Sequence, residues 1–123
     1  MSHDPDEPAV KPLEWVGSSK DDLIDFPEAV RKEMGYALFL AQCGEKAPSV
    51  KPLRGFGGAS VLEIVVADDG NAFRGVYTVK FAQAVYVLHC FQKKSKQGIA
   101  TPQAEIDLIK RRLKVAAEHY QQE

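Results

Sequence analysis

Several features are scarce in this 123-residue sequence, and each scarcity excludes a class of protein. No apolar run approaches the roughly 20 residues that a transmembrane helix requires. No segment repeats and no stretch is of low complexity, which excludes solenoid and fibrous architectures. The length suffices for one modest hydrophobic core and is too short for two. We therefore predict a single folded domain.

Cysteine and histidine are also few, and their spacing does not indicate a metal site. Cys43 lies at the end of a predicted helix and Cys90 lies inside a predicted strand. Two distant cysteines are typical of buried thiols in a cytosolic protein rather than of a disulfide or a metal-binding pair. His3, His89 and His119 are scattered without ligand spacing. We expect a cytoplasmic protein with no metal and no other cofactor.

The first residues, MSHDPDEPAVKP, are acidic and rich in proline. They lack the charged and apolar regions of a signal peptide and the basic character of a transit peptide. Their composition is typical of disorder. We predict a disordered acidic tail at residues 1–11 and one domain at residues 12–123.

The net charge of −1 conceals an uneven distribution of charge along the chain. Residues 1–45 hold ten acidic and four basic side chains, a net −6, and residues 46–114 hold twelve basic and five acidic ones, a net +7. The last nine residues carry −2. A basic half on a nearly neutral protein can bind a polyanion with one face. A chance excess of cations on a solvated surface is the alternative.

Periodicity and breaker residues predict the element order β-α-α-β-β-β-α, in which helices pack on a small antiparallel sheet, an α+β fold. A strand at 13–17 precedes a short helix over 20–26, with Ser18 or Ser19 as its cap, and Pro27 then begins a second helix. Gly44 ends that helix, and its apolar stripe is predicted to be buried: Val30, Met34, Ala37, Leu38 and Ala41.

The second half of the chain predicts three strands and a helix. The strands lie at 61–67, 73–79 and 84–91, and Asp-Asp-Gly-Asn between the first two indicates a tight hairpin. Residues 45–60 are predicted to form a loop. Thr101 caps the last helix and Pro102 begins it. Its apolar stripe comprises Ile106, Ile109, Leu113, Ala116, Ala117 and Tyr120.

Strand pairing brings several cations together at one end of the predicted sheet. If the turn after the second strand has an even number of residues, Arg74 lies opposite His89 or Phe91 and shares their face. Lys93 then follows on that face and Lys94 points the other way, whereas an odd turn or a bulge exchanges the two lysines. Lys96 lies at the rim. Two more cations, Lys51 and Arg54, precede the sheet and can close over the site.

Such a cluster suits a phosphodiester. An exposed arginine can grip two phosphate oxygens and stabilise a pentacovalent transition state. A lysine among other cations has a lowered pKa and can act as a general base on an RNA 2′-hydroxyl, and a histidine can share that role or protonate the leaving oxygen. No metal is required for this reaction.

Each of these residues also has a plain structural interpretation. The KKSK run at 93–96 can be a solvated loop, and His89 can be a hydrogen-bonded strand residue. Arg74 can simply pair with Glu63 on the neighbouring strand. The two strand tyrosines, Tyr77 and Tyr86, favour the core or the sheet surface over base stacking, and the basic run at 110–112 favours an exposed helix face. These patterns alone establish only an α+β domain with a basic sheet face.

Three segments resemble the RelE/HigB-type toxins of bacterial toxin–antitoxin modules, and most of all their phage-derived branch. The segments are KPLRGFGGASVLEI at 51–64, FRGVYTVKF at 73–81 and VYVLHCFQKKSKQGIATPQAEIDLIKRRL at 85–113. The most specific pattern is L-H-x-F-x-K-K-S before T-P and a helix, with R-x-x-Y on the neighbouring strand. The resemblance extends from about residue 13 to residue 113.

The resemblance implies a metal-independent endoribonuclease that cleaves messenger RNA, often on the ribosome. Arg74 matches the arginine of R-x-x-Y, Lys93 and Lys94 match the lysine pair, and His89 matches the histidine of the pattern. Arg54 matches the basic position of the loop, and Lys51 and Lys96 join it as expected RNA-binding residues. The implied partner is an antitoxin with a helix-turn-helix domain, through which the module binds DNA only indirectly; no membrane is involved.

Two other functions fit the same residues. ParE-type toxins share this architecture and poison DNA gyrase by binding, without cleaving RNA; the set of cations favours the nuclease. An inactive phage-derived binding module is the other alternative. For the antitoxin, the +7 segment favours an acidic helix or strand that covers the RNA site, and docking away from the site is the alternative.

Overall fold

The computed structural model describes residues 10–94 and 101–122, which form five strands and three helices. In chain order these are β1 (Leu13–Trp15), α1 (Ser19–Ile24), α2 (Glu28–Gln42), β2 (Val50–Pro52), β3 (Val61–Asp68), β4 (Asn71–Thr78), β5 (Val85–Lys94) and α3 (Gln103–Gln121). Residues 1–9 of the predicted tail lie outside the described residues. At the C-terminal end of that predicted tail, the amide of Lys11 donates a hydrogen bond to the Gln42 carbonyl at 2.9 Å.

The five strands form one sheet in the order β1-β5-β4-β3-β2. The three long strands are antiparallel neighbours, and the α+β prediction is confirmed. The expectation of a purely antiparallel sheet is wrong at one edge, because β1 runs parallel to β5, with Leu13 opposite Val85. The predicted loop at 45–60 also contains a three-residue strand, β2, which is antiparallel to β3. Its proline fits a short edge strand.

The two long helices cover opposite faces of the sheet. On one face, α2 buries the predicted stripe of five apolar residues against β3, β4 and β5. On the other face, α3 buries Ile106, Ile109 and Ala116 against Val76, Leu88 and their neighbours. The sheet is therefore apolar on both sides over most of its length.

Polar residues expected to cap helices make other hydrogen bonds. The Ser18 hydroxyl donates to the Asp22 carboxylate at 2.7 Å, and the Ser19 hydroxyl donates to the Val87 carbonyl at 3.2 Å. The Thr101 hydroxyl donates to the Glu63 carboxylate at 2.6 Å. No side chain caps the described helices: Ser18 precedes α1 without making a capping bond, and Pro27 and Pro102 precede α2 and α3. The Ser19 and Thr101 hydroxyls thus join the starts of their helices to the sheet, whereas the Ser18 hydroxyl bonds within α1.

Two turns determine how the long strands align. Asp69 and Gly70 form a two-residue turn with φ of 49° and 79°, the conformation expected of the predicted hairpin. The connection from β4 to β5 encloses an odd number of residues between the paired Thr78 and Tyr86. A β-bulge follows, because Tyr77 pairs with Val87 whereas Val76 pairs with His89.

The bulge decides which side chains of β5 face α3. Leu88 packs with the α3 cluster, and the next residue, His89, also contacts α3. Two successive residues thus point to one face, which resets the alternation for the rest of the strand. Beyond the bulge, Phe91 packs on the α3 side and Cys90 on the α2 side.

Arg112 of α3 stabilises the bulge through hydrogen bonds. Its Nη1 donates to the Leu88 carbonyl at 2.9 Å, and its Nη2 donates to the Ser18 hydroxyl at 3.2 Å. The guanidinium lies directly over Gly17, which has a φ of +58°. The prediction that residues 110–112 form only an exposed helix face is therefore wrong for Arg112.

We expect Gly17→Ala to lower the free energy of unfolding by about 1–2 kcal/mol, because a side chain disfavours this left-handed backbone. The new Cβ would also lie 2.9 Å from Arg112 Cζ. Urea denaturation measures the effect. Gly35→Ala is the matched control: no atom lies within 4 Å of its added Cβ in α2, and it should raise stability by about 0.5–1 kcal/mol. Equal effects of the two substitutions would contradict this account.

The two cysteines differ in their surroundings. Both are free thiols; Cys43 is partly exposed, whereas Cys90 is buried. Burial raises the pKa of Cys90 to about 12. We therefore expect iodoacetamide at pH 8 to modify Cys43 alone in the folded protein and both thiols in denaturant, as read by intact mass. Rapid modification of Cys90 in the native state would show that β5 is accessible to solvent.

Candidate active site

Four side chains of β4 and β5 form the feature predicted from strand pairing, here called the Arg74 stripe: Arg74, His89, Phe91 and Lys93. Arg74 lies opposite Phe91, Val76 lies opposite His89, and Ala72 lies opposite Lys93. Opposed and alternate residues share a face, so all four lie on the α3 side of the sheet. Diagonal neighbours in a sheet are about 7–8 Å apart. Arg74 and Lys93 are such neighbours, a separation that one phosphate group can bridge.

Arg74 is held by a carboxylate within the sheet. Its Nη1 donates to Glu63 Oε1 on β3 at 2.8 Å, and the two side chains are only 11% and 3% exposed. The other oxygen of Glu63 accepts the Thr101 hydroxyl. The expectation of an exposed Arg74 is therefore wrong, and the simpler pairing with Glu63 is present. A buried carboxylate requires such a partner, because an unpaired buried charge is costly.

His89 is also paired. It is 7% exposed, and its Nε2 contacts the Glu105 carboxylate of α3. Its Nδ1 lies 3.4 Å from Arg112 Nη1. Since arginine can only donate, this contact favours an acceptor at Nδ1 and a proton at Nε2. The ring stacks on Phe91 with centroids 4.7 Å apart. His89 is thus oriented by three neighbours.

The remaining predicted site residues lie around this centre. Lys51 is exposed on β2 and lies opposite Glu63 in the register, which places it on the α3 side of the sheet. Arg54 is exposed in the loop that follows. Lys94 ends β5 opposite Asn71. Lys96 lies outside the described residues.

The tyrosine of the R-x-x-Y pattern does not join the stripe. Tyr77 is fully buried on the α2 side, opposite to Arg74. Burial raises its pKa to about 12, and its hydroxyl has no hydrogen-bond partner among the described residues. The hydroxyl of Tyr86, also buried, lies 2.7 Å from Nδ1 of His119. Both tyrosines belong to the core, as predicted.

Three residues that the sequence analysis gave no functional role complete the surroundings of the stripe: Glu63, Glu105 and Arg112. Glu105 follows Thr101 by four residues, so one short segment reaches both Glu63 and His89. The arrangement can orient a guanidinium and an imidazole and exclude water from them. No group of three or more potential metal ligands occurs within residues 10–94 and 101–122. Nor is any helix there long and apolar enough to cross a membrane.

Comparisons with known proteins identify a family and a similar solved structure. The family model described as "Phage derived protein Gp49-like (DUF891)" matches residues 21–114. Among solved structures, the chain is similar to a chain of the toxin–antitoxin complex RelBE2 from Mycobacterium tuberculosis. The identity is 19% and the TM-score is 0.47, and the match covers 73% of this chain and 99% of that one. No curated protein matches the chain.

The family match spans about three quarters of the sequence. It includes β2 to β5, all of α2, the first two thirds of α3 and every residue of the Arg74 stripe. The chain therefore belongs to the phage-derived Gp49-like family, the branch that its sequence resembled.

Proposed function

We propose that this protein is the toxin of a toxin–antitoxin module and that it cleaves messenger RNA without a metal ion. The observation that carries the proposal is the Arg74 stripe, in which an arginine, a histidine and a lysine occupy one face of two paired strands. The resemblance of the L-H-x-F-x-K-K-S segment to RelE/HigB-type toxins supports the same function. The cleavage would take place in the cytoplasm, on messenger RNA bound to the ribosome.

The chemistry assigns one task to each residue. The amine of Lys93 takes the proton of a ribose 2′-hydroxyl, whose oxygen attacks the adjacent phosphorus. The guanidinium of Arg74, fixed by Glu63, stabilises the charge of the pentacovalent phosphorus. The bond to the 5′-oxygen breaks, and this oxygen takes the proton that Lys93 has accepted, while the Nε2–H of His89 donates a hydrogen bond to it. The products are a 2′,3′-cyclic phosphate and a 5′-hydroxyl.

The proposal includes the other basic residues and a partner. Lys51 and Arg54 are exposed on the side from which RNA would approach, and with Lys94 and Lys96 they would bind phosphates. An antitoxin would inhibit the protein; one with a helix-turn-helix domain would also bind the operator DNA, which this chain contacts only indirectly. Nothing in the proposed reaction requires a membrane or a cofactor.

Expression of the protein alone in a bacterium, followed by primer extension on several transcripts, tests the function. Discrete cleavages that depend on translation support a ribosome-associated nuclease, and their loss in Lys93→Ala would tie them to the stripe. Blocked DNA replication with intact transcripts would instead support a ParE-type toxin that binds gyrase. Growth without either effect would contradict a toxin function.

One observation favours a non-catalytic binding function as the second candidate. Glu63 already pairs with Arg74, and Glu105 already contacts His89. A phosphate would have to compete with these carboxylates or approach from the Lys93 end of the stripe. An inactive binding module would retain these ion pairs as structural contacts, and it would bind RNA without producing cyclic phosphate ends.

A further inference from the structure

The N–H group of the His89 ring already has an acceptor in the structure. Nδ1 of the ring lies 3.4 Å from Arg112 Nη1, which can only donate, so Nδ1 accepts and Nε2 carries the proton. Nε2 contacts the carboxylate of Glu105. In the proposed reaction the same N–H donates to the 5′-oxygen of the RNA. An N–H bonds well only to an acceptor that lies along its own direction, so Glu105 and the substrate compete for it.

The two carboxylates that meet the Arg74 stripe differ in how firmly they are held. The Glu63 side chain is 3% exposed and accepts hydrogen bonds from Arg74 and Thr101. Moving it would break both bonds inside the protein, which is costly for a buried charge. The Glu105 side chain is 31% exposed where it contacts His89. A partly exposed carboxylate regains its hydration when it turns into solvent, so Glu105 can leave its partner at a small cost.

The His89 ring keeps two of its contacts when Glu105 leaves. Phe91 stacks on the ring with centroids 4.7 Å apart. Arg112, which meets Nδ1, is itself held by a hydrogen bond to the Leu88 carbonyl at 2.9 Å. The released carboxylate also stays in the first turn of α3, where the positive end of the helix dipole favours an anion. The imidazole therefore remains oriented without Glu105.

We propose that Glu105 is a resident competitor of the substrate: its carboxylate occupies the Nε2–H of His89 until a phosphate group of RNA displaces it. This role rests on the proposed function, which supplies the phosphate. Two anions at one donor repel each other, so the carboxylate turns into solvent as the phosphate enters. Glu105 thereby weakens the binding of RNA at the Arg74 stripe without taking part in the chemistry.

Titration of the full-length protein with inorganic phosphate, followed by NMR, tests the competition without RNA cleavage. The ¹⁵N signal of His89 Nε2 and the carboxyl ¹³C signal of Glu105 should shift together in the wild-type protein. Glu105→Gln keeps a hydrogen-bond acceptor but loses the charge, so its His89 midpoint should need about two- to fivefold less phosphate, the range for one partly exposed charge. The control is Asp107→Asn, whose carboxylate bonds to Gln103 at 2.9 Å in the same part of α3; its midpoint should match the wild type. Equal midpoints for the wild type and Glu105→Gln, or no shift in any protein, would overturn the proposal.

Cleavage kinetics separate competition from a positioning role. Glu105→Gln should lower KM for ribosome-bound messenger RNA by about two- to fivefold and leave kcat within about twofold of the wild type. Thermal unfolding of the variant checks its fold. A fall in kcat at unchanged KM would show that Glu105 positions His89 for catalysis, which contradicts the competition. Absence of cleavage by the wild type, with the phosphate midpoints still separated, would refute the nuclease and support the competition at His89.

Discussion

Arg74→Ala is expected to lower the free energy of unfolding by about 3–5 kcal/mol, the usual cost of removing one partner of a buried ion pair. The substitution leaves the Glu63 carboxylate, whose side chain is 3% exposed, with only the Thr101 hydroxyl as a described partner. Stabilities of small domains are about 5–15 kcal/mol, so the loss is large. Urea denaturation of the purified protein measures it.

Two further variants show whether the charge is the cause. Glu63→Gln combined with Arg74→Gln removes both charges and should cost less than Arg74→Ala alone, because no unpaired carboxylate remains. Arg74→Lys keeps a positive charge but loses the planar fork. It should stay folded while cleavage falls about 10²–10³-fold, if Arg74 stabilises the transition state. Arg74→Ala with unchanged stability would contradict the observed pairing.

Lys93→Ala is expected to reduce RNA cleavage by about 10²–10⁴-fold, the range for loss of a general base. Lys93 is partly exposed on the strand edge of the sheet, so the fold should remain intact. Single-turnover cleavage of messenger RNA on the ribosome measures the rate. Thermal unfolding of the same preparation checks the fold.

Other lysines provide the comparison for this loss. Lys94→Ala should leave turnover nearly unchanged and weaken RNA binding, with a decrease of about 0.7 in the slope of log affinity against log salt per lost phosphate contact. Lys80→Ala, in the exposed turn at the other end of β4 and β5, should change neither quantity. Equal effects of Lys93→Ala and Lys94→Ala on turnover would rule out the assignment of the base.

The sequence correctly predicts that Lys93 lies on the same face of the sheet as Arg74, although that prediction assumes a regular strand. An odd number of residues between β4 and β5 would by itself put Lys94, instead of Lys93, on the face of Arg74. The bulge at Leu88 shifts the register by one more residue and returns Lys93 to that face, so the effects of the odd connection and of the bulge cancel. The bulge could not be predicted from the local sequence, because Arg112, whose guanidinium donates to the Leu88 carbonyl, lies 24 residues further along the chain.

The partners of the site were harder to predict than its cations. Alternation along a strand fixes which residues share a face, and Arg74, His89 and Lys93 follow from it. Whether a cation meets solvent or a carboxylate depends on the segment before α3. That segment brings Thr101 to Glu63 and Glu105 to His89. Pairing of Arg74 with Glu63 follows from their positions on neighbouring strands, whereas Thr101, directly before Pro102, has the sequence pattern of a helix cap.

The parallel pairing of β1 with β5 has a consequence for the order in which the protein can fold during its synthesis. Leu13 is translated early and its partner Val85 late; at about 5–20 residues per second, some 4–14 s separate them. Until then β1 has no strand to join, and β4 lacks the neighbour that carries His89 and Lys93. The Arg74 stripe is thus completed only near the end of translation, when β5 and then α3 become available to the nascent chain.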